Sequence, residues 1–139
     1  MNTSVIFFMV AVLVVGVLLF GVVSVTRNKG VVLDQEEYQT RWLKIEQSLV
    51  KEEVASYGLA ILEADKLLDH ALNELGIPGN TMAERLKKVS GRFTNSSSVR
   101  YAHRLRNQIA HEHGFEINYE QAKRALATFR QAIKDIGAI

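Results

Sequence analysis

The chain has 139 residues, no cysteine, and 17 Lys and Arg against 15 Asp and Glu. Without cysteine there is no disulfide framework, no thiolate-ligated zinc or iron-sulfur centre and no thiol nucleophile. The length allows one domain, and the first thirty or so residues differ in composition from all that follow.

The basic pI of about 9.0 invites a nucleic-acid reading until the charges are placed along the chain. From Asp34 to Glu74 there are ten acids against four bases, and from Glu84 to Asp135 eleven bases against five acids. The soluble part is therefore split, acidic first and basic second. The basic half could attract phosphate, or the halves could pair with each other within the fold or across a dimer.

Val5 to Val25 is a run of twenty-one residues without a charge. That length crosses a bilayer core as a helix. A cleaved signal peptide competes with this reading, but no basic residue precedes the run and no small-residue cleavage site follows it cleanly. The expectation is a retained single-pass anchor over residues 1–29, including its basic flank. Arg27 and Lys29 follow the run, so the positive-inside rule predicts an outer N-terminus and a cytoplasmic domain over residues 30–139, at the plasma membrane.

After a short joint, Tyr38, Trp42, Ile45 and Leu49 step by four, three and four, which predicts a helix from about Gln35 to about Lys51. A second stripe, Tyr57, Ile61, Ala64, Leu68, Ala71, Leu72 and Leu75, ends at Gly76 before Pro78. The charged Lys51-Glu52-Glu53 between them suggests an antiparallel pair, although one long bent helix fits the pattern too. Thr81 and Glu84 read as a capping box for a short helix to about Val89, and Ser90 to Asn95 as a loop. Asn95 and the serines after it offer a cap for a helix with the stripe Val99, Ala102, Leu105, Ile109, stopping near Gly114. Asn118 caps the last helix, whose stripe runs Tyr119, Ala122, Leu126, Phe129, Ile133, Ile136. No stretch alternates at period two. The fold expected is all-α, a transmembrane helix followed by a bundle of four to five helices.

The segment Tyr101 to Gly114 holds three of the four histidines together with Arg104 and Arg106. His103, Asn107 and His111, four apart, form a ridge on the helix, with Arg106 beside it at the edge of the apolar stripe. An arginine there is either tied to an acid or reserved for an anion. In the first case Arg106 pairs with a carboxylate of the acidic half such as Glu63 or Asp65, Asn107 satisfies a neighbouring helix, and His111 and His113 favour the carbonyl end of their helix as cations. A cation shared by His103 and His111, or by His111 and His113, is a further reading, but the pattern is not His-Glu-x-x-His and no complete ligand set is visible.

Leu105-Arg106-Asn107-Gln108-Ile109-Ala110-His111 resembles the signature of HEPN domains, an arginine and a polar residue separated by four to six residues from a histidine. The likeness extends over about residues 36 to 138 as an all-helical setting, but only the seven-residue motif is specific. The resemblance implies a metal-independent endoribonuclease without cofactor, acting in defence or stress response, or an inactive relative that binds a protein or nucleotide partner. In the active case Arg106 would stabilise charge on phosphorus, His111 would move a proton at the ribose 2'-hydroxyl or the leaving oxygen, and Asn107 would hold or orient them. The motif occurs once per chain, so the resemblance also implies a homodimer, with RNA as the substrate. His103 and His113 have no counterpart in the signature.

Overall fold

A computed structural model describes residues 2–27 and 30–139. Lys29, half of the basic flank, lies outside the described residues. The chain separates into two compact units, residues 1–31 and 32–139.

The first unit is helix α1, Thr3–Arg27. Its stretch Thr3–Val23 has a mean hydropathy of 3.1 and is long and apolar enough to cross a membrane.

The second unit is all-helical, with no strand among the described residues. It comprises α2 (Gln35–Ser48), α3 (Val54–Glu74), α4 (Met82–Lys88), α5 (Ser96–His111) and α6 (Tyr119–Asp135). A single 3-10 turn at Ser90–Arg92 interrupts what the sequence presents as a plain loop.

The two stripes before Pro78 belong to separate helices. Helix α2 stops at Ser48, three residues earlier than its pattern suggests, because Ser56 of α3 intercepts the chain. Its hydroxyl accepts from the Val50 N–H and donates to the Val50 carbonyl, both at 3.0 Å. Lys51-Glu52-Glu53 thus lies in the turn, where its charges meet water. At the far end of the pair, the buried Tyr38 hydroxyl donates to Glu74 at 2.7 Å. His70 Nδ1 lies 2.8 Å from the Tyr38 hydroxyl oxygen and 3.4 Å from Arg41 Nη1. Burial, and then the bond to Glu74, push the Tyr38 phenol above its ordinary range. Contacts at opposite ends of both helices make the pair antiparallel.

Helix α3 is the centre of the bundle, and α2, α5 and α6 all pack on it. Its wide buried surface explains its composition. Ala60, Ala64 and Ala71 are 0% exposed, small enough to let several helices approach one rod. The tightest approach is at Gly58, where an added Cβ would stand 3.1 Å from Ile109 Cγ2 of α5.

Helix ends follow local chemistry. Asp34, Asn95 and Asn118 accept the backbone N–H three residues on, and Asn118 with Gln121 forms a reciprocal capping box. Thr81 caps α4 as its sequence suggests, but the Glu84 carboxylate takes the Asn80 N–H, one residue before the position a capping box uses. Helices α3 and α6 close in Schellman turns through Gly76 and Gly137, both at positive φ.

The split charge of the chain is answered internally. Arg85 reaches Asp69 at 2.7 Å, Arg106 reaches Asp65 at 3.3 Å and Arg130 reaches Glu46 at 3.8 Å, each joining a base of the second half to an acid of the first.

Candidate functional site

Helix α5 carries the motif, and its stripe of Val99, Ala102 and Leu105 is buried in the core. That burial fixes the rotation of the helix and turns His103, Arg106 and Asn107 toward α3. There they meet Asp65, a carboxylate that is 3% exposed and sits between the apolar Ala64 and Leu67. An isolated charge at such a depth is costly, so its partners define the site.

Those partners close a ring. His103 Nδ1 lies 2.8 Å from Asp65 Oδ1, which places the imidazole proton on Nδ1 as a donor to the carboxylate. Nε2 can then accept from the Asn107 amide, 3.4 Å away. Asn107 Oδ1 accepts from Arg106 Nη1 at 3.0 Å. Arg106 Nε stands 3.3 Å from Asp65 Oδ2 and completes the circuit. Nε is buried and its contact lacks hydrogen-bond geometry, so this last link is electrostatic.

One carboxylate thus serves both an imidazole and a guanidinium. The His103 side chain is 12% exposed and that of Arg106 32%, so the ring faces inward on one side and water on the other. Arg106 Nη2 makes no hydrogen bond among the described residues.

His111 lies outside this network. It is exposed in the last turn of α5, and five residues from Arg106 correspond to about 140° around the helix axis. Instead, His111 and Asn107 border a shallow hollow of about 430 Å³ with Tyr101, Arg104, Gln108 and Glu112. Arg106 does not line it. The motif is therefore divided, with Arg106 turned to the core edge, His111 to solvent, and Asn107 touching both environments.

His103, which the signature leaves without a role, is a full member of the ring. His113 is exposed beyond the helix end. Among the described residues no three of His, Asp and Glu gather as a metal-holding set, and neither histidine pair considered as a cation site gains a third such donor. The sequence offered Asp65, beside Glu63, as an acid that could tie down Arg106, and that pairing is the one found; its bond to His103 was not foreseen, although a signal existed. An acid in the α3 stripe directly after Ala64 and three residues before Leu68 marks a buried carboxylate in need of a cation.

Compared with known proteins, the chain matches no family, no curated protein and no solved structure.

Proposed function

We propose that the chain is a single-pass membrane protein whose cytoplasmic domain is a HEPN-like helical module that works by binding, as a homodimer that holds a partner at the membrane, rather than by catalysis. The observation that carries this reading is the closed ring. Arg106 spends its charge on Asp65 and one donor on Asn107, so the group that would have to meet a phosphoryl oxyanion is already committed within the chain. Nor does one chain bring His111 within reach of it. The apolar span of α1 and Arg27 at the end of that helix, beyond the span, support the anchored, domain-inside arrangement.

A second reading, a metal-independent endoribonuclease completed across the dimer, draws on two specific features. A carboxylate at the Nε edge leaves Arg106 oriented with Nη2 free, and His111 is exposed, so a second copy could supply the missing half.

The full chain in detergent, incubated with RNA and a chelator from pH 5 to 9, separates them. The binding module leaves the RNA intact. In thermal melts its Arg106→Ala variant loses stability, while His111→Ala behaves as the parent. Cleavage that leaves cyclic phosphate ends and vanishes in both variants would overturn the binding reading.

A further inference from the structure

Helices α2 and α6 both pack on α3 but leave a groove of about 570 Å³ between them. Pockets that receive small molecules span roughly 300 to 1,000 Å³. The deep part of this one is apolar, made by Trp42 and Leu126, which are 1% and 5% exposed. The α6 side is cationic, with Lys123, Arg130 and Lys134 along it. On the α2 side stands a single carboxylate, Glu46, which is drawn 3.8 Å from Arg130. Neither Lys123 nor Lys134 lies within salt-bridge distance of a carboxylate among the described residues.

A second, independent feature concerns Trp42. Its indole N–H is buried without a hydrogen-bond partner, an unfavourable state for a donor that water would otherwise satisfy. Trp42 lines the groove, but its Nε1 is itself buried, so an acceptor brought by an occupant of the groove meets it only when the wall shifts. Elsewhere among the described residues the only other such side-chain atom is Arg106 Nε, which at least faces a carboxylate.

We infer that the α2–α6 groove binds a small amphipathic anion, a molecule with an apolar body of medium-chain or single-ring size and one acidic head group. The body lies against Trp42 and Leu126. The head group takes the positive potential of Lys123 and Lys134, about 16 Å apart along α6 by helical rise, and an oxygen of the ligand answers the indole once the wall adjusts. Charge disfavours the opposite polarity: among the lining side chains a cation would meet three bases and one carboxylate already engaged. This site shares no residue with the Arg106 ring, so it stands apart from the question of RNA cleavage.

The chain contains one tryptophan, and it is in the groove wall, so its emission reports on this site. The full chain in phosphatidylcholine vesicles is titrated with decyl phosphate, with inorganic phosphate as head group alone and decanol as tail alone. Decyl phosphate should change the Trp42 emission saturably, with half-saturation at least about tenfold below either partial ligand. The double variant Lys123→Ala, Lys134→Ala should raise the apparent Kd about tenfold or more, while Lys87→Ala, Lys88→Ala, on exposed α4 positions, leaves it unchanged. Circular dichroism confirms that both variants remain folded. An equal response to decanol, a response that rises with vesicle content without saturating, or an unchanged Kd in the Lys123 and Lys134 variant overturns the inference.

Discussion

Asp65 shows how little room a buried charge leaves. At 3% exposure its carboxylate cannot rely on water, and it lies 2.8 Å from His103 and 3.3 Å from Arg106. Removing it strands two polar side chains at the α3–α5 seam. Asp65→Ala should therefore cost about 3 kcal/mol of stability in urea unfolding. Arg106→Ala, at a side chain one-third exposed, should cost about 1 kcal/mol. In the double variant the two losses should fall short of additive by about 0.5 to 1 kcal/mol, because the second deletion removes a partner that has already lost its contact. Strict additivity would show that solvent, not Asp65, holds Arg106. An acid such as Asp65 was legible as a partner for Arg106, but its bond to His103 was not, because 38 residues separate the two. Helical periodicity reports which face a residue occupies but not which residue of another helix it faces. That is why His103 reads as a bystander on its own helix and becomes a hub only when α3 is laid against α5.

The helices themselves were far more legible than their contacts. Every apolar stripe read from spacing is buried or partly buried, from Tyr38 and Trp42 in α2 to Phe129 and Ile133 in α6, since a period of 3.6 residues repeats over enough turns to rise above noise. Boundaries were read less well where a side chain from another element decides them. Ser56 ends α2 from outside it, and no pattern within α2 announces this. Gly58 is the clearest element-scale constraint. In sequence it is a weak point in a helix, but in the fold it allows α5 to approach with Ile109 at 3.1 Å from where a Cβ would be. Gly58→Val should destabilise the domain by about 2 kcal/mol through overpacking, despite removing a helix-weakening glycine. Combining it with Ile109→Ala should recover part of that loss in the same melts. No recovery would mean the strain falls on the α3 backbone and not on the α5 contact.

For the domain as a whole, one tie connects the segment between α4 and α5 to the end of α6. Thr94 donates its backbone N–H to Asp135 at 2.7 Å and its hydroxyl at 3.0 Å, and Gln131 adds a third bond at 2.8 Å. Burial alone would raise the Asp135 carboxyl, but these donors, with Lys134 nearby, outweigh it and hold the pKa below its ordinary value of 3.8. A carboxyl lowered by folding contributes stability above its unfolded pKa and loses it as pH falls through the folded one. Acidification from neutral pH should therefore lower the melting temperature, with a component entering below about pH 4 that Asp135→Asn removes. Identical acid limbs for the two proteins would show that the tie forms equally well with an amide.

The Asp65 ring also governs how the helices can be aligned. The α5 stripe of Val99, Ala102, Leu105 and Ile109 repeats every three to four residues, so its periodicity alone would accept a slide of one turn along α3, opposed among the apolar contacts chiefly by the fit of Ile109 over Gly58. A slid α5 would put other residues opposite the buried carboxylate and leave it unanswered. Together with the Gly58–Ile109 fit, the polar ring therefore acts as a register pin: it adds little net cohesion over an apolar seam, but it sets one alignment of the two helices apart from its neighbours.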